Sequence, residues 1–281
     1  MCVTKLIFLI SLFLLNNSLG SSFSINKQNN VEITESDHDN DGGRIVGGSN
    51  TTINKNPYQV AIIGNEAIFL GSGIIVDKHY VLTICSLVNY LITSKVNVQI
   101  RAGSTRHDKG GKMYTVEKII CNKNFSKISL DNDIALLRIS SAIQFNRNVK
   151  IIKVAKTNLQ PGKVVTTSGW GTLLNETDRV SFQSVNLNIV DKSACQEIYQ
   201  EDEIKDSMIC AHTPSKGPCW GDFGNPLVTK KPLKAYGLFS WAARCADEKY
   251  PAIFTDLVYA NQFINDIIHA NYAKKSSTIR Q

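Results

Sequence analysis

Short runs in which apolar and polar residues alternate are the feature that most constrains the fold of this chain. Such runs occur at VNVQI (96–100), VNLNIV (185–190) and YGLFSW (236–241), and glycine, asparagine, aspartate and proline separate them. A period of two places every second side chain on one face of a strand, as in an antiparallel sheet with one buried face. The run DIALLRI (133–139) is almost wholly apolar and predicts a strand buried on both faces.

The C-terminal part of the chain has a helical pattern instead. Its apolar residues recur about every 3.6 residues and fall on one face of a helix. They are Ala260, Phe263, Ile264, Ile267 and Ile268. The sequence shows no internal repeat and no long linker. We therefore predict an all-β fold with a C-terminal α-helix.

The N-terminal region predicts export and processing. Lys5 precedes an apolar run at residues 6–15, and small residues follow up to Gly20. This order is typical of a secretory signal, and the run is too short to span a bilayer. The segment after it is polar and cannot bury enough apolar surface to fold alone. We predict a signal peptide at 1–20, a propeptide at 21–44 that is cleaved after Arg44, and a folded domain at 45–281.

The net charge limits the kinds of partner. The whole chain carries a formal charge of +7, and the first 44 residues hold three basic and five acidic side chains, so the predicted domain carries +9. Such an excess favours acidic or anionic partners. The basic residues are dispersed, without an arginine-rich arm or interleaved aromatic residues, so nucleic acid is not an expected partner. We expect a monomer that binds proteins and does not associate with a membrane.

Cysteine and asparagine patterns fit an exported protein. Cys2 falls within the predicted signal, which leaves an even number of cysteines: Cys85, Cys121, Cys195, Cys210, Cys219 and Cys245. They predict disulfides, although spacing alone allows fifteen pairings. Sequons predict glycosylation and a surface position at Asn50, Asn124 and Asn175. The five histidines are scattered without metal-like spacing, and we expect no metal site and no cofactor.

Seven short motifs occur in one order along the predicted domain. They are Arg44–Gly48, Pro57–Val60, Tyr80–Thr83, Asp131–Leu137, Ser168–Gly171, Gly221–Asp222 and Ser240–Trp241. With these motifs the chain resembles the trypsin-like serine proteases of the chymotrypsin fold, peptidase family S1, over the whole of residues 45–281. The resemblance implies two antiparallel six-stranded β-barrels with a site in the cleft between them, followed by the C-terminal helix.

The catalytic positions of that family are changed in this chain. Catalysis there uses a serine nucleophile, a histidine base and a buried aspartate. The matching positions hold Phe223 for the nucleophile, Ser86 for the base and Asp133 for the aspartate. A phenyl ring cannot attack a carbonyl, and a serine hydroxyl cannot act as a general base near neutral pH. This interpretation predicts an inactive homologue that is not an enzyme, in which Asp133 forms a structural hydrogen bond with Ser240.

The substrate pocket that the family resemblance implies is also altered. Gly217 stands where trypsins carry an acid, and Ala242 and Ala252 stand where two glycines normally line the pocket. Trp220 lies just before the nucleophile segment and could cover the entrance. We predict an occluded specificity pocket bounded by these residues and Ser240. In the alternative, Trp220 turns outward and the pocket is only narrower.

The parts that maintain the family's fold are retained. Asp222 matches the aspartate that pairs with the new amino terminus after activation, and Ile45 would supply that terminus after cleavage at Arg44. A buried aspartate without a partner is destabilising by several kcal/mol, so this cleavage should lock the domain.

The resemblance implies two disulfides, Cys195–Cys210 and Cys219–Cys245. The family's bridge beside the catalytic histidine is absent, because Leu70 and Leu87 replace its cysteines and exchange a covalent link for apolar contact. Cys85 and Cys121 match no family bridge. Buried thiols are the favoured interpretation, and a disulfide is the alternative if their Cα atoms lie within about 7 Å.

The substitutions favour a secreted protease-like protein that acts by binding. The chain most closely resembles the inactivated paralogues of the group 3 mite allergens from the scabies mite, which implies release into the gut lumen and interference with host complement. An alternative is a non-catalytic cofactor in the organism's own protease cascades, although such proteins typically carry a disulfide-rich N-terminal module. A hydrolase with another catalytic constellation ranks last, since no such arrangement is visible in the sequence.

Overall fold

The computed structural model describes residues 45–94, 96–171, 182–200 and 202–278. The predicted signal peptide and propeptide, Arg44 and Asn175 lie outside these residues. Most of the regular structure is β-strand, and the strands close into two antiparallel six-stranded barrels followed by a C-terminal helix. The predicted fold class is confirmed.

The first barrel uses the N-terminal half of the domain. A two-residue strand comes first and the barrel strands follow: β1 (Ser49–Asn50), β2 (Gln59–Ile63), β3 (Phe69–Asp77), β4 (Tyr80–Thr83), β5 (Gln99–Ala102), β6 (Lys112–Cys121) and β7 (Ala135–Ile139). The barrel closes in the order β2-β3-β4-β7-β6-β5. All residues of β7 except Arg138 are buried, as its apolar run predicts. The strand expected to begin at residue 96 begins at Gln99, because the backbone N–H of Asn97 donates to the side chain of Asn65 instead of to a strand.

The second barrel follows the same pattern. Its strands are β8 (Val164–Gly169), β9 (Gln183–Val190), β10 (Met208–His212), β11 (Pro226–Lys230), β12 (Leu233–Trp241) and β13 (Ala252–Asp256). They run in the order β9-β10-β13-β12-β11-β8, and pairing of β8 with β9 closes the ring. Strand β1 pairs with the first two residues of β9, so the start of the domain is attached to the second barrel.

In the described part of the chain, three α-helices accompany the strands: α1 (Cys85–Val88), α2 (Lys192–Tyr199) and α3 (Asn261–Thr278). The apolar face predicted near the C-terminus packs where the two barrels meet: Ala260 and Ile264 are buried in a cluster that contains Leu82 of β4 and Leu238 of β12. The predicted helix is confirmed. Within the described residues, none of the helices has the length and apolarity needed to cross a membrane.

Two disulfides join the cysteines that the family resemblance pairs. Cys195 and Cys210 have Cα atoms 6.5 Å apart, and Cys219 and Cys245 have Cα atoms 4.8 Å apart. The first pair joins α2 (Lys192–Tyr199) to β10, the second joins the loop before β11 to the loop after β12, and both predictions are confirmed.

A third disulfide joins Cys85 and Cys121, whose Cα atoms lie 5.4 Å apart. The favoured interpretation of buried thiols is therefore wrong. Strand β7 explains the proximity, because Ala135 pairs with Thr83 on one side and with Cys121 on the other. Cys85 follows Thr83 by two residues. The order of strands in the barrel, which spacing does not reveal, brings the two cysteines together.

Candidate functional site

The cleft between the barrels contains a buried carboxylate, Asp133, held by three hydrogen bonds. The Ser240 hydroxyl donates to its Oδ2 at 2.6 Å, and the Ser86 hydroxyl donates to the same oxygen at 2.7 Å. The backbone N–H of Ser86 donates to Oδ1, also at 2.7 Å. The predicted pair of Asp133 and Ser240 is present, and Ser86 is a further partner that sequence reasoning did not identify. We call these three residues the Asp133 cluster.

Each member of the Asp133 cluster comes from a different part of the fold. Asp133 lies two residues before β7, Ser86 is the second residue of α1, and Ser240 lies near the end of β12. The main chain of Asp133 is also fixed across the cleft, since the Thr255 hydroxyl of β13 donates to its carbonyl oxygen at 2.6 Å. The cluster therefore depends on contact between the two barrels.

Burial dominates the electrostatics of the Asp133 cluster. Only 1% of the surface of Asp133 is exposed, and burial raises the pKa of its carboxyl, while the hydrogen bonds from Ser240 and Ser86 act against that rise. A buried carboxylate is tolerated where donors satisfy its oxygens. The cluster thus combines one buried carboxylate with two hydroxyl groups.

The segment that carries Ser86 is anchored on both sides. The Cys85–Cys121 disulfide ties the start of α1 to β6. Leu70 and Leu87 each pack against the core of the first barrel, and their mutual contact in place of the family's bridge stays a prediction. A covalent link one residue from Ser86 therefore takes over the anchoring of this segment.

Phe223, for which the resemblance implies the nucleophile position, lies among aromatic residues. Its ring is stacked on Phe239 with centroids 5.8 Å apart and meets Trp220 edge-on at 6.3 Å. Its carbonyl oxygen accepts a hydrogen bond from the Ser72 N–H of β3 at 2.8 Å, so the main chain here is joined to the first barrel. The half-buried side chain packs against the apolar core of the second barrel.

The pocket residues do not all share one environment. Ala242 and Ala252 belong to the same apolar cluster as Phe223. Trp220 is 44% exposed, so its side chain does not form a buried lid over the entrance of the predicted specificity pocket. Gly217 instead forms a β-bridge with Val46, next to the start of the domain. The fold therefore brings Phe223, Ala242 and Ala252 together and uses Gly217 to hold the N-terminal segment.

A second buried carboxylate, Asp222, precedes Phe223. It accepts hydrogen bonds from the backbone N–H of Cys219 at 3.0 Å and of Gly171 at 3.1 Å, and from the Asn225 side-chain amide at 2.7 Å. Burial raises the pKa of Asp222 to about 7, although these three donors act to lower it. We call Asp222 and these donors the Asp222 cluster.

Asn225 is a member of the Asp222 cluster whose role sequence reasoning missed. It fills the space above Gly169, since a Cβ on that glycine would lie 1.9 Å from the Asn225 amide nitrogen. Its side-chain Oδ1 accepts from the Gln59 side-chain amide at 3.3 Å, and Gln59 also donates to the Ser168 carbonyl at 2.6 Å. Asn225 occupies the place where the family has a second glycine after its nucleophile. This exchange of glycine for asparagine was the feature of the sequence that could have revealed the role of Asn225 beside Asp222.

The start of the domain is inserted into the second barrel. Ile45 is 2% exposed and belongs to the apolar cluster that contains Phe239 and Phe254. The N–H of Val46 donates to the Gly217 carbonyl at 2.9 Å. The residues that would follow cleavage at Arg44 therefore already lie in the core.

Other predicted sites can be placed by exposure. Asn50 and Asn124 are exposed, as their sequons predict, and their glycosylation stays a prediction. Across the described part of the chain, no three histidine, cysteine, aspartate or glutamate side chains are grouped as metal ligands would be.

Comparison with known proteins places the fold in a family. The family model described as Trypsin matches residues 45–264. Trypsin epsilon of Drosophila erecta is 33% identical over 226 residues, which cover 79% of this chain and 86% of that protein. Trypsin delta of the same species is 35% identical over 220 residues, covering 76% and 85%. Trypsin alpha of Drosophila melanogaster is 33% identical over 226 residues, covering 79% and 86%.

These comparisons contradict the prediction that the chain is not an enzyme. The similar proteins are named as trypsins, and membership of a protease family points to an enzyme. The prediction of inactivity rested on Ser86 and Phe223 alone, and these substitutions describe the cleft without deciding activity. Because the match spans both barrels and agrees with their topology, this chain belongs to the trypsin family.

Proposed function

We propose that this trypsin-family chain is secreted and acts by binding protein partners, among them components of host proteolytic defence such as complement. The observation that carries the proposal is that Phe223 and Ala242 pack against the apolar core of the second barrel, to which Ala252 belongs. In this proposal these side chains occlude the specificity pocket. Recognition of a protein then depends on the surface and loops around the cleft.

Aromatic contacts support occlusion of the pocket. The Phe223 ring is held between Trp220 and Phe239, and Phe239 in turn meets Phe254 of β13 at 5.6 Å. Aromatic pairs of this geometry contribute about 0.5–1.5 kcal/mol each beyond the area they bury. A peptide side chain entering here would have to displace the ring from these neighbours.

Export and processing are further parts of the proposal. The three disulfides are typical of proteins that fold in an oxidising compartment. The apolar run at residues 6–15 provides a secretory signal. Burial of Ile45 beside the second barrel suits cleavage after Arg44, with Asp222 as the acceptor for the new amino terminus. The resemblance to the mite paralogues of the group 3 allergens supports release into the gut lumen and binding to complement components.

The test is surface plasmon resonance with the domain from Ile45 onward against purified complement components. We expect a dissociation constant in the micromolar range or tighter for at least one component. The variant Phe223→Ala should bind that component within about twofold of the unchanged chain, because the contacts lie outside the pocket. Turnover of peptide esters is measured on the same preparations.

Two outcomes would count against the proposal. Absence of binding to every component at micromolar concentration removes the host-defence role. Loss of binding in Phe223→Ala, with the fold intact by circular dichroism, would place the contacts in the pocket. Binding to proteases of the organism's own cascades in place of complement would support the regulatory alternative.

A further inference from the structure

A group of exposed lysines lies where the link between the barrels meets the β11–β12 hairpin. We call it the lysine surface, and it comprises Lys150, Lys153, Lys156, Lys230, Lys231 and Lys234. Five of these side chains are exposed and Lys234 is half-exposed. The lysines are far apart in sequence, so dispersion along the chain conceals the group.

The backbone brings the two lysine-bearing segments side by side. Val154 forms a parallel bridge with Ala235. The Ala155 N–H donates to the Ala235 carbonyl at 2.9 Å, and the Ala235 N–H donates to the Lys153 carbonyl at 3.0 Å. This register sets Lys153 beside Lys234, which pairs with Thr229 within the hairpin. The lysine surface is therefore defined by strand pairing.

No acidic side chain from either segment balances this charge. Residues 134–175 and residues 223–246 contain no aspartate or glutamate. The ion pairs in the described part of the chain all involve other residues, so none of the six lysines is paired. Like charges placed close together repel one another and destabilise a fold. An anionic partner would relieve that repulsion.

Apolar side chains lie among the lysines. Ile151 is 43% exposed and Leu233 is 44% exposed. Ile151 lies three residues before the bridged Val154, and Leu233 lies two residues before its partner Ala235. A partner that offers only negative charge leaves these side chains in water, whereas a protein segment with both acidic and apolar residues covers them.

We propose that the lysine surface binds an acidic segment of a partner protein that also carries apolar side chains. The proposal rests on the protein-binding function proposed above and assigns a surface to it. Lys230 follows Phe223 by seven residues, and none of the six lysines belongs to the apolar clusters against which Phe223 packs. The cleft and the lysine surface can therefore be altered separately.

The test uses the domain from Ile45 onward and a fluorescent twelve-residue peptide of glutamate and leucine in equal number. We expect binding that weakens as salt increases, because the charges are exposed. The variant Lys153→Glu/Lys234→Glu should weaken binding at least tenfold. The variant Ile151→Ser/Leu233→Ser should weaken it at least threefold without changing the salt dependence. A matched control, Lys109→Glu/Lys127→Glu, makes the same change of charge elsewhere and should stay within twofold.

Several results would overturn the proposal. A peptide of glutamate and serine, a heparin oligosaccharide or a phosphatidylserine vesicle that binds as tightly, with the same dependence on the variants, would show that charge alone is recognised. Equal losses in the matched control would show non-specific attraction. If the unchanged chain and Lys153→Glu/Lys234→Glu bind complement components equally well, the lysine surface is not the binding site. The proposed function then still stands. If the peptide binds as expected and no component binds, the proposed host function fails alone.

Discussion

Two buried aspartates flank the cleft, and they are held by different kinds of donor. Asp133 accepts two hydroxyl groups and the Ser86 N–H, with the Cys85 N–H as a weaker backbone donor, whereas Asp222 accepts two backbone N–H groups and one side-chain amide. A hydroxyl can rotate toward another acceptor or water, but a backbone N–H is fixed by the chain. Side-chain substitution can therefore change the surroundings of Asp133 more readily than those of Asp222.

The largest expected effect concerns the chemistry beside Asp133. Ser86→His/Phe223→Ser places an imidazole and a hydroxyl next to the retained carboxylate, which assembles a three-residue relay. We expect kcat/KM for a peptide ester to rise at least about a hundredfold over the unchanged chain. Adding Asp133→Asn should abolish the gain, because the imidazole loses its acceptor. No rise in the double variant would show that Asp133 is not placed to support catalysis.

Removing the carboxylate of Asp222 should lower the free energy of unfolding more than removing that of Asp133. Asp222→Ala leaves two fixed N–H groups unsatisfied and should lower the free energy of unfolding by about 4 kcal/mol. Asp133→Ala leaves two hydroxyls that can reorient and the Ser86 N–H, with the Cys85 N–H only a weaker partner, and should lower it by about 2 kcal/mol. Urea unfolding with the disulfides intact measures both. Equal losses would contradict the distinction between fixed and rotatable donors.

The raised pKa of Asp222 predicts a pH-dependent stability. Its folded-state pKa is about 7 and its unfolded value is near 4, so its stabilising contribution is complete below about pH 4 and is lost as the pH rises through 7. In Arg44→Gln, which cannot be cleaved at this site, the free energy of unfolding should fall by about 2–3 kcal/mol from pH 5 to 8 relative to the same chain with Asp222→Asn. Parallel curves for the two chains would refute this contribution.

The smallest effects concern single donors to the two carboxylates. Asn225→Gly removes one hydrogen bond to Asp222 and the contact with Gln59, and should lower the free energy of unfolding by about 1.5 kcal/mol. Ser240→Ala removes one hydroxyl from Asp133, whose Oδ2 keeps the Ser86 hydroxyl, and should lower it by about 1 kcal/mol. Thermal unfolding of both variants tests which of the two substitutions destabilises the fold more. A larger loss in Ser240→Ala would reverse the comparison.

Much of the fold and part of the site could be predicted from the sequence. The alternating runs predicted the strands, the 3.6-residue spacing predicted α3, and family motifs predicted the bond between Asp133 and Ser240. The third donor on Asp133, the Ser86 hydroxyl, was not predicted. Its direction depends on how α1 is attached to β6 by the Cys85–Cys121 disulfide, which spacing did not favour.

The sequence by itself determined the all-β architecture and the residue types at each position of the cleft, because periodicity and motif order are local properties of a chain. Only the tertiary structure decided which donors satisfy Asp133 and Asp222, why Asn225 lies against Gly169, and how distant lysines form one surface. A buried polar group takes its partners from whichever elements pack around it, and strand order, which is not a local property, determines those elements.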